Sequence, residues 1–296
     1  MRLSVMVLGL VCLCAVGIGI AAPAFQDGDD VRGAFMTSRP KDKPVNSGGT
    51  STRTSRRRPK PNNPPDKTTG KAGPSKPTPT PSESSTPVNA RRLGLGVTLF
   101  MRDSNGLAVR VDPDHVFRKG DRVRVLLETN TDGYLYIFNT TDDGPPTMIY
   151  PDASLDEAGN YLQAHVPFEI PTSLAGEERL RWFAFDEVAG TEHLFFVFTR
   201  EPLQGIPIED DLIAFCRDSK CPVRPNDEVW AAVQKGRQDP LRTDKTAGFG
   251  KAETAGEQQA ATRGLGLAKD DPQPSVVMMA SSSRPTLVAT LDLIHK

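Results

Sequence analysis

The sequence predicts a mainly β fold: an antiparallel sandwich or barrel-like domain with a short helical insertion, preceded by a disordered tether. Three observations carry this reading. Apolar residues alternate with a period of two through short runs from Leu93 onward. Clusters of Gly, Asp, Asn and Pro separate those runs, the punctuation of antiparallel strands rather than of βαβ units. The stretch before Leu93 is proline-rich and basic and has almost nothing to bury.

Residues 1–24 hold one charge, Arg2, then an uncharged apolar run that ends in Ala22-Pro23-Ala24, small residues where a signal peptidase reads them. The expectation is a signal peptide cleaved after Ala24, hence a periplasmic or secreted protein. The alternative is an uncleaved anchor, since about 20 apolar residues cross a bilayer. Cys12 and Cys14 follow Val11 and Leu13, where a lipoprotein signal has a small residue, so lipidation is not expected.

Residues 25–92 carry 14 Lys and Arg against 6 Asp and Glu, and they lead into an acidic remainder. So polar a segment cannot offset the entropy of ordering its backbone, and it reads as a disordered linker. The triplet Arg56 to Arg58 has no aromatic residues interleaved, and export removes nucleic acid as a partner. Weak contact with anionic lipid or a wall polymer is the alternative to a solvated arm. Ser38 and Lys41 match an SxxK spacing, but an unstructured arm offers them no shielded pocket.

Residues 93–296 form the predicted β domain. In RVRVLLETN, Val123, Val125 and Leu127 share one face, and Arg122 and Arg124 the other. GYLYIFNT is apolar on both faces: Tyr134, Tyr136 and Phe138 form one stripe, Leu135 and Ile137 the other, as in a central strand. Asn130 to Gly133 lies between these runs and predicts a hairpin, its glycine taking the left-handed conformation. Further strands are expected at 147–151, 180–185 and 193–199. Residues 204–274 read as an insertion of two short helices, the second capped by Asn226 or Asp227, followed by a mobile polar excursion from Arg242 to Gln273. Alternation returns in a final hairpin at 275–294, with Leu287, Ala289, Leu291 and Leu293 on one face and Ser282 to Pro285 as its turn.

Residues that could carry chemistry are sparse. There is no HExxH, GxSxG, P-loop or CxxC pair, and no cofactor or metal is expected. Cys216 and Cys221 are candidates for a local disulfide in an oxidising compartment, which requires the first helix to stop near Asp218. His115 and His193 each adjoin an acid, Asp114 and Glu192, but neighbours on a strand face opposite ways, so both read as surface histidines. Asp112, Asp114, Asp132, Asp142 and Asp143 fall in loops. They could converge on calcium, but turn formation accounts for each. Of these, Asp132, Asp142 and Asp143 are the candidate binding residues. The Tyr134–Phe138 stripe reads as core.

The run GVTLFMRDSNGLAVRVDPDHVFRKGDRVRVLLETNTDGYLYIFNTTDDG, continued by MIYPDA, FAFDEVAGTEHLFFVF and TREPL, resembles the bacterial domain of unknown function 4384. The likeness covers about residues 93–203 and resumes in the final hairpin. It implies a β-rich domain of envelope or exported proteins, often joined to kinases, peptidases or repeats, and it brings no catalytic residues. The expected role is a non-enzymatic interaction or ligand-binding module with another envelope or exported protein as partner. A structural envelope component held by the basic arm, and an enzyme with an unrecognised site, are the alternatives.

Overall fold

A computed structural model describes residues 30–42, 91–153, 159–246 and 248–296. The expected signal peptide, and all of the expected linker except 30–42 and 91–92, lie outside the described residues. The elements begin with α1 (Val31–Thr37), β1 (Gly94–Arg102), β2 (Ala108–Arg110), β3 (Arg122–Thr129), β4 (Gly133–Thr141), β5 (Thr147–Tyr150), β6 (Tyr161–Leu162) and β7 (Phe168–Ile170). They continue with β8 (Phe183–Ala184), β9 (Gly190–Thr199), α2 (Glu209–Arg217), α3 (Asp227–Arg237), β10 (Leu241–Lys245), α4 (Ala255–Arg263), β11 (Val276–Ala280) and β12 (Thr286–His295).

Among the described residues, twelve strands form two antiparallel sheets that are not closed into a barrel. The first runs β10-β11-β1-β3-β7, with β2 on the end of β1 and β8 on the end of β3. The second runs β12-β9-β4-β5, with β6 on β4. Their inner faces enclose one apolar core. Val123, Val125 and Leu127 meet Leu135, Ile137, Phe196 and Phe198 there, because alternation aims every second side chain inward.

Two expected hairpins are not hairpins. β3 lies in the first sheet and β4 in the second, so Asn130 to Asp132 carries the chain across the sandwich. Gly133 has no left-handed φ; a Cβ there would stand 2.5 Å from the Thr199 carbonyl oxygen, so close strand approach is what requires glycine. In the same way β11 joins β1 and β12 joins β9, and the 275–294 segment sutures the two sheets instead of pairing with itself. Of the strand expected at 180–185, only β8 forms; a 3-10 turn takes Glu178–Arg181.

The outer face of the second sheet is covered by α2 and α3, which bury Tyr134, Tyr136 and Phe138 beneath Leu212, Val233 and Trp230. Asn226 caps α3 by accepting the Val229 amide at 2.9 Å. Helix α2 ends at Arg217, and Cys216 is joined to Cys221 across a Cα separation of 4.8 Å.

The outer face of the first sheet is covered by two segments expected to lack structure. Within the expected linker, α1 docks Phe35 and Met36 against Val277 and Met279. Arg32 ties it to Asp244 at 3.1 Å. A composition averaged over 68 residues hides one short piece with apolar anchors. The expected excursion holds β10 and α4, and α4 carries a complete capping box in which Thr254 and Glu257 bond each other's backbone.

Candidate functional site

The face that α1 and α4 cover is charged. Alternation puts Arg124, Leu126 and Glu128 on the outer side of β3, Thr98 and Phe100 on that of β1, and Glu169 on β7. Exposure of Arg124 is 4% and that of Glu128 and Glu169 3% each, so these ions must be paired within the fold. Glu128 receives both oxygens' worth of Arg39, Nε at 2.7 Å and Nη2 at 2.6 Å, while the rest of that guanidinium donates to the carbonyls of Ala268, Asp271 and Pro272. Arg110 pairs with Glu257 and donates to the Ser275 hydroxyl at 3.1 Å. Burial opposes the charge on Glu128, but the bonds from His165 and Arg39 outweigh it and hold its carboxyl below the usual range.

His165 stands between Glu128, 2.7 Å from its Nδ1, and the Ser38 hydroxyl, 2.7 Å from its Nε2. Hydroxyl, imidazole and carboxylate in this order match the geometry of an activated nucleophile. The surroundings differ from one. The amides of Ser38 and Arg39 donate to the carbonyls of Phe35 and Met36, so neither is aimed at an oxyanion. Both Glu128 oxygens are held by Arg39. The cluster therefore acts as an anchor for residues 30–42, and Ser38, discounted with the arm, has a structural place in it.

A different part of the same face is open. A pocket of about 300 Å³ lies between the β1–β2 connection, the segment after β7 and the residues leading into α4. The Arg124 guanidinium lies 4.5 Å from the Trp182 ring and donates from Nη2 to Glu253 Oε2 at 2.8 Å. Its Nε is 3.8 Å from Glu169 Oε1, too far for a hydrogen bond. Arg124 Nε and Ser173 Oγ are buried without partners, while the Glu253 carboxyl, when protonated, hydrogen-bonds that of Glu169. Burial, then the charge of Glu169, pushes the Glu253 carboxyl up to about 8 against the pull of Arg124. At neutral pH the pocket thus offers the protonated acid of Glu253, a guanidinium edge and the Ser173 hydroxyl side by side.

The structure does not bring Asp132, Asp142 and Asp143 together. Asp132 precedes β4 and Asp142 follows it, so roughly 30 Å of strand separates them. Asp132 accepts the Tyr161 hydroxyl at 3.1 Å and the Ala164 amide at 2.8 Å; Asp142, with a left-handed φ of 48°, accepts the Thr191 amide at 2.9 Å. Asp143 is exposed in the same turn. Asp112 and Asp114 grip Lys245 at 2.6 and 2.5 Å. Among the described residues no group of three His, Cys, Asp or Glu is arranged to hold a metal. His193 bonds Asp292 at 2.8 Å, and His115 packs edge-on to Phe117. Arg124, Glu169 and Glu253 were missed because their signal is distributed. The one local clue was the capping-box spacing from Thr254 to Glu257.

Two sheets, a charged outer face and a polar pocket define a β-sandwich with a side-on site. Residues 116–202 match the model of the family described as a domain of unknown function (DUF4384). That segment runs from just before β3 through β9, and so includes Arg124, Glu169, Ser173 and Trp182. Arg39, Arg110, Glu253 and Glu257 lie outside it. No curated protein and no solved structure matches the chain.

Proposed function

We propose that the chain is an exported, non-enzymatic binding module that receives a polar group of a partner, another envelope or exported protein, in the Arg124–Glu253 pocket. The observation that carries this reading is that Arg124 and Ser173, each with a buried polar atom that lacks a partner, line one opening together with the raised acid Glu253. Such atoms cost about 1–3 kcal/mol each unless something pairs them, and a partner supplying both donors and acceptors would do so. Ala252, exposed at the rim, gives a clean test. The Ala252→Trp variant, plugged but with an unchanged thermal midpoint, is expected to lose a partner captured from envelope extracts, while Asp142→Asn and Asp143→Asn keep it. Capture that survives the plug would move the site elsewhere.

A second reading, acid–base catalysis, is favoured by the raised Glu253 beside Glu169. Glu253→Gln separates the two. Glutamine reproduces the neutral acid, so capture at neutral pH persists in a binding module, whereas turnover by a general acid would be abolished.

A further inference from the structure

Three neighbouring strands of the second sheet change character at the same end of the sandwich. Inward-facing residues along β4 are Leu135, Ile137 and then Asn139; along β9 Phe198, Phe196, Leu194 and then Glu192; along β12 Leu291, Leu293 and then His295. Opposite them the first sheet stays apolar. The result is a cavity of about 220 Å³ between the sheets, with Val123, Val125, Phe183, Phe185, Leu194 and Leu293 as walls and the three polar residues at one side.

The polar side is built but unfinished. His295 is 4% exposed, and neither ring nitrogen has a hydrogen-bond partner; the nearest acid, Glu192, is 3.7 Å from Nε2. Asn139 donates through Nδ2 to Glu192 Oε2 at 2.8 Å, which fixes the amide and leaves Oδ1 buried and unpaired. A neutral imidazole presents one acceptor nitrogen, and Asn139 Oδ1 and the Glu192 carboxylate are acceptors as well. Asp186 adds a second negative charge to the lining. A cavity near 150 Å³ takes benzene, so this one has room for a ring and a short tail.

We propose that this cavity is a binding site for a small apolar amine: a compact aromatic or branched aliphatic body against the walls, and an ammonium donating to Asn139, Glu192 and His295. The site is separate from the Arg124–Glu253 pocket and does not depend on it. Apolar enclosure supplies affinity, and the two carboxylates beside the head reject an acid of the same shape.

The test is calorimetric titration of the full chain with 2-phenylethylamine, against phenylacetate as the same body with opposite charge. One saturable site for the amine and none for phenylacetate is expected. Glu192→Gln should weaken amine binding by about tenfold or more, as loss of a charge-assisted bond does. Leu293→Phe should abolish it by filling the space. Should Leu293→Phe fail to fold, Glu192→Gln carries the test alone, because that side chain is 23% exposed and its loss leaves the core intact. Absence of saturable amine binding at millimolar concentration, equal binding of phenylacetate, or an affinity indifferent to Glu192→Gln would each overturn the proposal. Amine binding unchanged in Ala252→Trp distinguishes this site from the polar pocket.

Discussion

Glu253 and Glu128 are acids on one sheet face with shifts of opposite sign. Folded Glu253 keeps its proton to about pH 8, whereas the unfolded group releases it near 4.5. Its contribution to stability is therefore full below pH 4.5 and is lost as pH rises through 8, by on the order of 4 kcal/mol. Glu128 is depressed, so its contribution is present above pH 4.5 and disappears as pH falls through its lower folded value. The thermal midpoint is expected to decline from pH 5 to 8, and Glu253→Gln is expected to flatten that decline. An unaltered slope in the variant would show Glu253 ionised in the fold. The faces of β3 were legible from alternation alone, and Val123, Val125 and Leu127 are indeed core. That Arg124 and Glu128 are buried on the other face was not, because Arg39 and Glu253 stand 89 and 129 residues away. No local pattern reports a second cover.

Helix α1 has too few residues to be stable alone and is held by what it touches. Replacing Arg39 by Met leaves Glu128 buried with His165 as its remaining side-chain partner, at a cost of about 3–5 kcal/mol in urea unfolding. Adding Glu128→Gln should return part of that loss, since the stranded charge is then gone. If the double variant is as unstable as the sum of the two single ones, the pair is not coupled and α1 is held by its apolar contacts and the Arg32 bonds. Phe35→Ala tests those contacts and should cost about 3–5 kcal/mol. Turn chemistry at Asn130–Gly133 and Ser282–Pro285 was readable, but the same residues serve a hairpin and a crossing between sheets. Alternation assigns a face to each side chain; which sheet a strand enters depends on partners far along the chain.

For the molecule as a whole, the class was legible because period-two runs and turn clusters are local, and two stacked sheets are the way such runs bury one face. The covers were only half legible. Helices α2 and α3 announce themselves by apolar residues at helical spacing, while the cover of the first sheet works largely through ions scattered in polar sequence. The disulfide closes a short loop beside the second cover, so Cys216→Ser with Cys221→Ser should lower stability by only about 2 kcal/mol in denaturant and leave both sheets intact. Truncation before Ser275 removes β11 from inside the first sheet and β12 from the edge of the second. It is expected to yield no cooperative thermal transition, and a retained transition would make the sutured ends dispensable.

Docking of residues 30–42 also brings two flanks of the chain, distant in sequence, to one place. Val31, Ala34, Thr37 and Ser38 border the same cavity as Arg91 and Arg92, so the residues that lead into β1 start from the patch on which α1 rests. The Arg39–Glu128 pair is a cross-link from residues 30–42 to β3, the strand beside β1. The covalent chain meets itself there, and the cover and the entry of the first sheet share one foundation.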